Sequence, residues 1–277
     1  MSAVEGPTAR VNRDAYLAKV AGFIQYLAQV ISGSAPIHPT ARLKSGNRLL
    51  KTQCLADAFE QYTWNREDYA ANRSCLDEIS SSFSKAFDQP GSARRQALIQ
   101  AIEKCMKWGL GGRAVEQNVR WACDREHCID DLLRGAVREI AAEEPDFRLF
   151  ADKYRMNSGY TKVYSLICAD AVIYDGRVGA AMGLLVRHYC ARLQANEVPP
   201  ELRFPWGVAR GGLNRDPSRD CLSFPRLRND GAFHAEWNVK ANWALAEAVR
   251  KSAATWCSGN DGLRRVEAAL FMLGYQV

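Results

Sequence analysis

The length, composition and charge of the chain set the first limits on what it can be. Its 277 residues, 47% of them hydrophobic, are enough for one large globular domain or two smaller lobes with a buried core. No window approaches 18 consecutive apolar residues, and residues 1–13 are polar, so we expect no transmembrane helix and no signal peptide. The net charge of +6 favours a polyanionic partner over a membrane.

The cysteines and histidines indicate a reducing compartment and no metal site. Nine cysteines are scattered along the chain, and Cys105, Cys168 and Cys190 lie inside apolar runs, as free core thiols do. The chain contains no Cys-x-x-Cys and no His-Glu-x-x-His, and its four histidines have no metal-ligand spacing. We therefore expect a soluble cytoplasmic monomer that needs no metal and no other cofactor.

Helical periodicity dominates the chain and predicts an all-α, multi-helix fold. The predicted helices cover residues 14–31, 49–62, 74–87, 92–108, 129–143, 148–155, 161–168, 176–194, 234–255 and 262–273. Glycines at positions 109, 111 and 112 are expected to break the chain. Residues 196–232 are rich in Pro, Gly, Arg and aromatic residues and have weak periodicity, so we expect a long irregular segment there.

The segment from Met156 to Val178 carries the residues with chemical potential. Asn157, Ser158 and Gly159 are turn residues, and a helix is predicted to follow from Thr161. Backbone amides at a turn beside a helix N-terminus form a natural seat for a phosphate. Lys162 is expected in the first turn of that helix, next to this seat.

Asp175 has the residue type and position of an N-cap for the next predicted helix, 176–194. Taken alone, an aspartate before a helix is usually only a cap, and a lysine in a first helical turn is usually a solvated surface residue. Because Lys162 and Asp175 occur in this order within one segment, a functional interpretation is stronger than reading each residue as purely structural.

This segment resembles the helix-hairpin-helix motif and catalytic loop of the 8-oxoguanine DNA glycosylase family, especially its shorter bacterial members. The resemblance lies in Gly159-Tyr-Thr-Lys162-Val163 and in Ile173-Tyr-Asp175-Gly-Arg177-Val178, with Met106-Lys-Trp-Gly109 matching a further element. It is specific over residues 156–182 and vague elsewhere. Two departures are a single glycine in the hairpin, where many members have two, and a gap of only 13 positions between the lysine and the aspartate.

The resemblance implies a DNA glycosylase that flips a base out of duplex DNA and cuts it from its sugar. Lys162 is the implied nucleophile, forming a Schiff base that also permits strand cleavage, and Asp175 stabilises the cationic sugar. The substrate class is an oxidised purine or a modified base such as one in viral DNA. It further implies an N-terminal helical region (1–112) and a catalytic region (113–277), expected together as one two-lobed unit.

Two groups of residues are expected to contact DNA. Arginines alternate with aromatic residues over positions 203–228, a composition suited to holding phosphates and stacking on bases. We expect Trp206 or Trp237 to stack on the extruded base. The equally weighted alternative is a solvated loop that its aromatic residues anchor to the core. The expected DNA contacts are Asn157, Ser158, Gly159, Thr161, Arg177, Arg210, Arg215 and Arg219.

Two other function classes stay open. A HEPN-type RNase has a short signature of Arg, a polar residue, a gap and His, which Arg228-Asn229 followed by His234 satisfies. A non-catalytic helix-hairpin-helix module would bind DNA through the hairpin alone, with Asp175 only a cap. Trapping with borohydride separates these from a lyase-type glycosylase, because only an imine between Lys162 and the sugar becomes a permanent link on reduction.

Overall fold

The computed structural model describes residues 10–37, 40–42, 49–209, 211 and 213–277, and this part of the chain is mostly helical. The α-helices are α1 (Arg13–Lys19), α2 (Ala21–Ser32), α3 (Leu55–Glu60), α4 (Tyr69–Phe87), α5 (Gly91–Gly109), α6 (Gly112–Cys123), α7 (Ile129–Ala141), α8 (Leu149–Asp152), α9 (Tyr160–Ile167), α10 (Gly176–Arg192), α11 (Gly231–Ser252) and α12 (Gly262–Leu273). Strands β1 (Thr40–Arg42) and β2 (Leu49–Lys51) pair antiparallel. None of the helices described combines the length and apolarity needed to cross a bilayer.

The chain folds into two compact units, each assembled from segments that are distant in sequence. The first unit contains Met1–Asn12, Glu67–Ile173 and Asn229–Val239. The second unit contains Arg13–Arg66, Tyr174–Arg228 and Lys240–Val277. The boundary expected between residues 112 and 113 lies inside the first unit, at the start of α6.

In the first unit, α5 is the helix around which the others pack. It contacts α4, α6, α7 and α9, and it buries Leu98, Ile102 and Met106 on its inner side. Helix α4 contributes Ile79 and Phe83 to the same core, at the four-residue spacing of one helical face. Through these contacts α5 supports α9, the helix that carries Lys162.

In the second unit, α10 is the central helix. Its residues are continuously buried from Val178 to Val186, as expected for a helix with neighbours on all sides. Helix α12 packs on both α10 and α3, and α2 also packs on α10. Glycines permit the closest approaches, since a Cβ added at Gly179 or Gly274 would collide with the backbone of Pro205 or Arg177 respectively.

Helix α11 begins in the first unit and continues into the second. It is buried along most of its length, and its buried side chains include polar residues as well as apolar ones. One of these, Asn238, donates from Nδ2 to the carbonyl of Val172 over 3.0 Å. Burial of an amide requires such partners, because an unsatisfied polar group in the interior is destabilising.

Eight of the ten predicted helices are confirmed to within a few residues, from α4 and α5 through α7 to α12. The other two differ. The helix predicted over 14–31 is divided into α1 and α2 at Val20, which leaves helical geometry at ψ 14°. Val20 is nevertheless buried, so the apolar pattern continues across the break and conceals it.

The helix predicted over 49–62 is wrong in its first part. Residues 49–51 form β2, so the all-α expectation misses one short strand pair, and the helix begins only at Leu55. The carboxylate of Asp57 accepts from the amides of Gln53 and Cys54, at 2.7 and 3.2 Å. This capping interaction fixes the helix start, because it satisfies amides that have no partner within the helix.

Helix α6 is absent from the sequence prediction, because the glycines before it indicate a break in the chain. The glycines instead separate α5 from α6, which begins at Gly112 with a positive φ of 42°. The expected irregular segment is confirmed in its described residues. There, only a short 3-10 turn, Pro200–Leu202, interrupts the extended and turn structure between α10 and α11.

Candidate functional site

The turn before α9 is closed by the side chain of Asn157. Its Oδ1 accepts from the amides of Gly159 and Tyr160, at 2.9 and 3.0 Å. The next two amides also have acceptors within the turn: Thr161 donates to the carbonyl of Asn157, and Lys162 to the carbonyl of Gly159, each over 3.0 Å. The amides expected to form a phosphate seat are therefore largely occupied by the turn itself.

Asn118 on α6 anchors this turn from outside. Its Oδ1 accepts from Nδ2 of Asn157 over 2.9 Å, while its own Nδ2 donates to the carbonyl of Ala114 over 2.8 Å. The hydroxyl of Tyr160 donates to the backbone carbonyl of Asn118 over 3.3 Å. Two hydrogen bonds thus fix the hairpin to α6, a helix that sequence analysis missed.

The side chain of Lys162 is buried, with only 5% of the residue exposed. Its Nζ donates to the carbonyl of Ser158 over 2.9 Å. A Cβ added at Gly109 would lie 2.5 Å from Cε of Lys162, so the absence of a side chain at the end of α5 makes room for the lysine. Lysine is rarely buried in proteins, and here the amine donates to a neutral carbonyl rather than to a carboxylate.

Two of the other hairpin residues, Gly159 and Thr161, are buried, although direct contact with DNA was expected of them. Thr161 is fully buried, and its Oγ1 donates to the carbonyl of Ser158 over 3.1 Å. Gly159 is also buried, against Leu110 and the side chains that hold the turn. These two residues build the turn, and their expected role at the DNA stays a prediction. Asn157 and Ser158 are half-buried.

Asp175 is confirmed as the N-cap of α10, in the second unit. Its Oδ1 accepts from the amides of Arg177 and Val178, at 2.9 and 3.1 Å. The residue itself has extended backbone geometry, as an N-cap requires. The two bonds fix the direction of a half-buried carboxylate.

Arg177 is enclosed by aromatic rings rather than directed at solvent. Its guanidinium carbon lies 4.1 Å from the ring centre of Phe271, 4.9 Å from that of Tyr275 and 5.6 Å from that of Trp64. Burial lowers the pKa of Arg177, and the charge of Asp175 acts in the opposite direction. This placement differs from the expected phosphate contact, and it makes Arg177 part of the packing that supports the cap.

The arginines of the irregular segment have different surroundings. Arg215 is half-buried, and its Nε donates to the carbonyl of Tyr275 over 3.4 Å. Burial lowers the pKa of Arg215, while Asp175 raises it, so Asp175 is within electrostatic reach of two guanidinium groups. Arg219 is exposed, with Asp220 at 3.9 Å. Arg210 lies outside the described residues.

Both tryptophans proposed as base-stacking residues are buried. Trp206, in the second unit, donates from Nε1 to the carbonyl of Phe224 over 3.3 Å, and the guanidinium of Arg226 lies 5.1 Å from its ring. Trp237, on α11 in the first unit, meets Phe233 edge to face at 6.4 Å. These contacts favour an anchoring role, the alternative that the sequence left open for the aromatic residues.

The two residues of the RNase alternative have unequal access to solvent. His234 lies within α11 and is only 3% exposed. Arg228 precedes that helix and is half-buried in the irregular segment. His234 and Lys162 are buried to a similar degree, so burial alone does not decide between the RNase and the glycosylase interpretations.

No family model, no characterised protein and no solved structure matches the chain. Within the described ranges, no three His, Cys, Asp or Glu side chains come together as the ligands of a metal ion would. The arguments about function therefore rest on the geometry of individual residues.

The residues that sequence analysis missed are those that hold the site from a distance. Asn118 anchors the hairpin turn, and Trp64, Phe271 and Tyr275 enclose Arg177. None of them belongs to the segment that carries the motifs, so nothing local in the sequence points to them. The sequence did point to Gly109, because it ends the Met106–Gly109 element that resembles one in the glycosylase family.

Proposed function

We propose that this protein is a DNA glycosylase that removes a damaged or modified base from duplex DNA. The observation that carries the proposal is the buried side chain of Lys162, held beside Gly109 with its amine on the carbonyl of Ser158. A buried lysine whose acceptor is a neutral carbonyl is better suited to nucleophilic chemistry than to a surface role. The resemblance of residues 156–182 to the glycosylase motif gives that chemistry a substrate.

Lys162 is proposed as the nucleophile. Its neutral amine attacks the sugar carbon that carries the base, forming a carbon–nitrogen bond as the carbon–base bond breaks. The base leaves with the bonding electrons and takes up a proton. Loss of the amine proton and opening of the sugar ring give an imine, from which elimination cuts the strand. The protein would then be a lyase as well as a glycosylase.

Asp175 is proposed to stabilise the positive charge that develops on the sugar as the base departs. A carboxylate does this only if its position is fixed before the reaction, since reorganisation would consume the stabilisation it provides. The two amide bonds of the α10 cap supply that fixed position. The rings around Arg177 support the same helical turn.

The proposed partner is double-stranded DNA. The net charge of +6 is consistent with a polyanion, and the half-buried Ser158 and exposed Arg219 are accessible enough to contact phosphates. The proposed base is an oxidised purine or a deliberately modified base, the two classes that fit the catalytic pair. A non-catalytic DNA-binding module is the second candidate, since it needs Asp175 only as the cap of α10, and the two amide bonds fit that role.

The proposal is tested with a panel of duplexes, each carrying one oxidised or modified base, and with the variant Asp175→Asn. Asparagine caps a helix about as well as aspartate, so folding should be preserved while base release falls by about two orders of magnitude or more. Asp68→Asn is the matched control, because Asp68 caps α4 through an equivalent bond to Ala71. Binding without release of any base in the panel would support the non-catalytic module instead.

A further inference from the structure

A second candidate site lies in the second unit, at the C-terminal part of α10. A cavity of about 790 Å³ opens there between residues of α2, α10 and the segment that follows Pro217. This volume is within the usual range for sites that bind small molecules, roughly 300–1,000 Å³. Arg187 is the first arginine of α10 that lines the cavity. It lies twelve residues after Asp175, about 18 Å along the helix axis. The cavity is therefore separate from the Asp175 cap.

Four basic side chains line this cavity, among neutral polar and apolar residues. Arg187, His188 and Arg192 come from α10, and Arg219 comes from the irregular segment. Among the described lining residues there is no aspartate or glutamate. Asp220 is 3.9 Å from Nε of Arg219, but both side chains are exposed, and an exposed pair of this length contributes little.

Two of the arginines are held in place before any ligand arrives. Arg187 donates from Nη1 to the carbonyl of Pro217 over 3.0 Å, and the guanidinium of Arg192 lies 5.3 Å from the ring centre of Tyr26. Burial lowers the pKa of Arg187, the positive charge of Arg219 adds to this effect, and the negative charge of Asp220 opposes it. Preorganised donors reduce the entropy lost on binding, and an anion would relieve the repulsion between these like charges.

We propose that this cavity binds a phosphate group through Arg187, Arg192 and Arg219. Planar guanidinium groups match the geometry of phosphate oxygens and bind them through paired, charge-assisted hydrogen bonds. The phosphate can be carried by a small molecule such as a nucleoside monophosphate or by the end of a nucleic acid strand. The site shares Arg219 with the proposed DNA contact, but it needs neither a modified base nor Lys162, so its test does not depend on glycosylase activity.

The test is calorimetric titration at low ionic strength with inorganic phosphate, a nucleoside monophosphate, and one oligonucleotide with and without a 5′-phosphate. The double variant Arg187→Gln/Arg192→Gln should weaken phosphate binding by about tenfold or more. The control is Arg250→Gln/Lys251→Gln, which removes the same charge from the exposed end of α11. The relative affinities for the nucleoside monophosphate and the 5′-phosphorylated oligonucleotide show which kind of molecule carries the phosphate.

Two results would overturn the proposal: no saturable binding of any of these probes, or equal weakening by the two double variants. If the Arg187 change prevents folding, single substitutions at the exposed residues Arg192 and Arg219 provide the same test. Arg192→Gln and Arg219→Gln should each weaken phosphate binding about threefold or more without lowering the melting temperature. If both leave the affinity unchanged, the arginines serve only the helix end, where basic residues are favourable.

Discussion

Gly109 and Lys162 lie against each other at the centre of the candidate site, although 53 positions separate them in the sequence. The lysine side chain occupies the space that a side chain at position 109 would fill, since a Cβ there would lie 2.5 Å from Cε. The end of α5 and the first turn of α9 are thus matched in shape. This contact gives a physical reason for a glycine at the end of the Met106–Gly109 element.

Gly109→Ala is predicted to disturb Lys162 without unfolding the protein. The new methyl group meets the far end of a flexible side chain, which can shift at little cost in stability, but the amine then leaves its position. We expect trapping of a DNA adduct to fall about tenfold, with a melting temperature near that of the wild type. Gly111→Ala is the control, because nothing lies within 4 Å of a Cβ at that position. Equal trapping by both variants would show that the Gly109 contact is irrelevant to the amine.

Asn157 is predicted to stabilise the hairpin through its side chain. Asn157→Ala leaves the amides of Gly159 and Tyr160 without their acceptor, and should lower the free energy of unfolding by about 1–2 kcal/mol. Asn157→Asp keeps an acceptor for these amides but loses the donor to Asn118, so its loss should be smaller. Urea denaturation measures both. An alanine variant as stable as the wild type would contradict the capping role.

The rings around Arg177 are predicted to contribute to stability rather than to DNA binding. Arg177→Gln should lower the free energy of unfolding by about 1–2 kcal/mol, and a double-mutant cycle with Phe271→Leu should show coupling of about 0.5–1 kcal/mol. Arg73→Gln is the control, since its partly exposed i,i+4 pair with Asp77 is worth about 0.5 kcal/mol or less. If Arg177→Gln has normal stability but weakened DNA binding, this prediction is wrong and Arg177 contacts a phosphate, as the sequence led us to expect.

The parts of the site that could be predicted from sequence are those that depend on neighbouring residues. The turn at Asn157–Gly159, the helix carrying Lys162 and the cap at Asp175 each follow from residue types within a few positions. The same holds for most helices, whose apolar period is a local property. At Val20 the apolar pattern continues across the helix break, and at Leu49–Lys51 the local pattern does not distinguish a helix from a strand, so the predictions differ from the fold at both places.

The remaining features arise from contacts between distant segments. Asn118 bonds to Asn157 across 39 positions, and Arg177 is enclosed by residues about a hundred positions away on either side, such as Trp64 and Phe271. Burial of Thr161 and Trp206 is likewise set by tertiary packing. A single sequence gives the periodicity of each helix but not its neighbours, so these roles became visible only with the fold.

The central claim is that Lys162 is the nucleophile, and borohydride trapping on a duplex with one abasic site tests it most directly. A neutral amine adds to the aldehyde of the opened sugar, water leaves, and borohydride reduces the resulting imine to a permanent link. Wild-type protein should form this covalent complex, and Lys162→Gln should not. Glutamine is a comparably good helix former, so α9 should be preserved.

Lys107→Gln is the matched control for this measurement, because Lys107 is an exposed lysine on α5 paired with Glu103. It should trap DNA like the wild type, and peptide mapping of the wild-type complex should locate the link at Lys162. The account is contradicted if Lys162→Gln, folded by its melting temperature, forms the covalent complex in the same yield as the wild type.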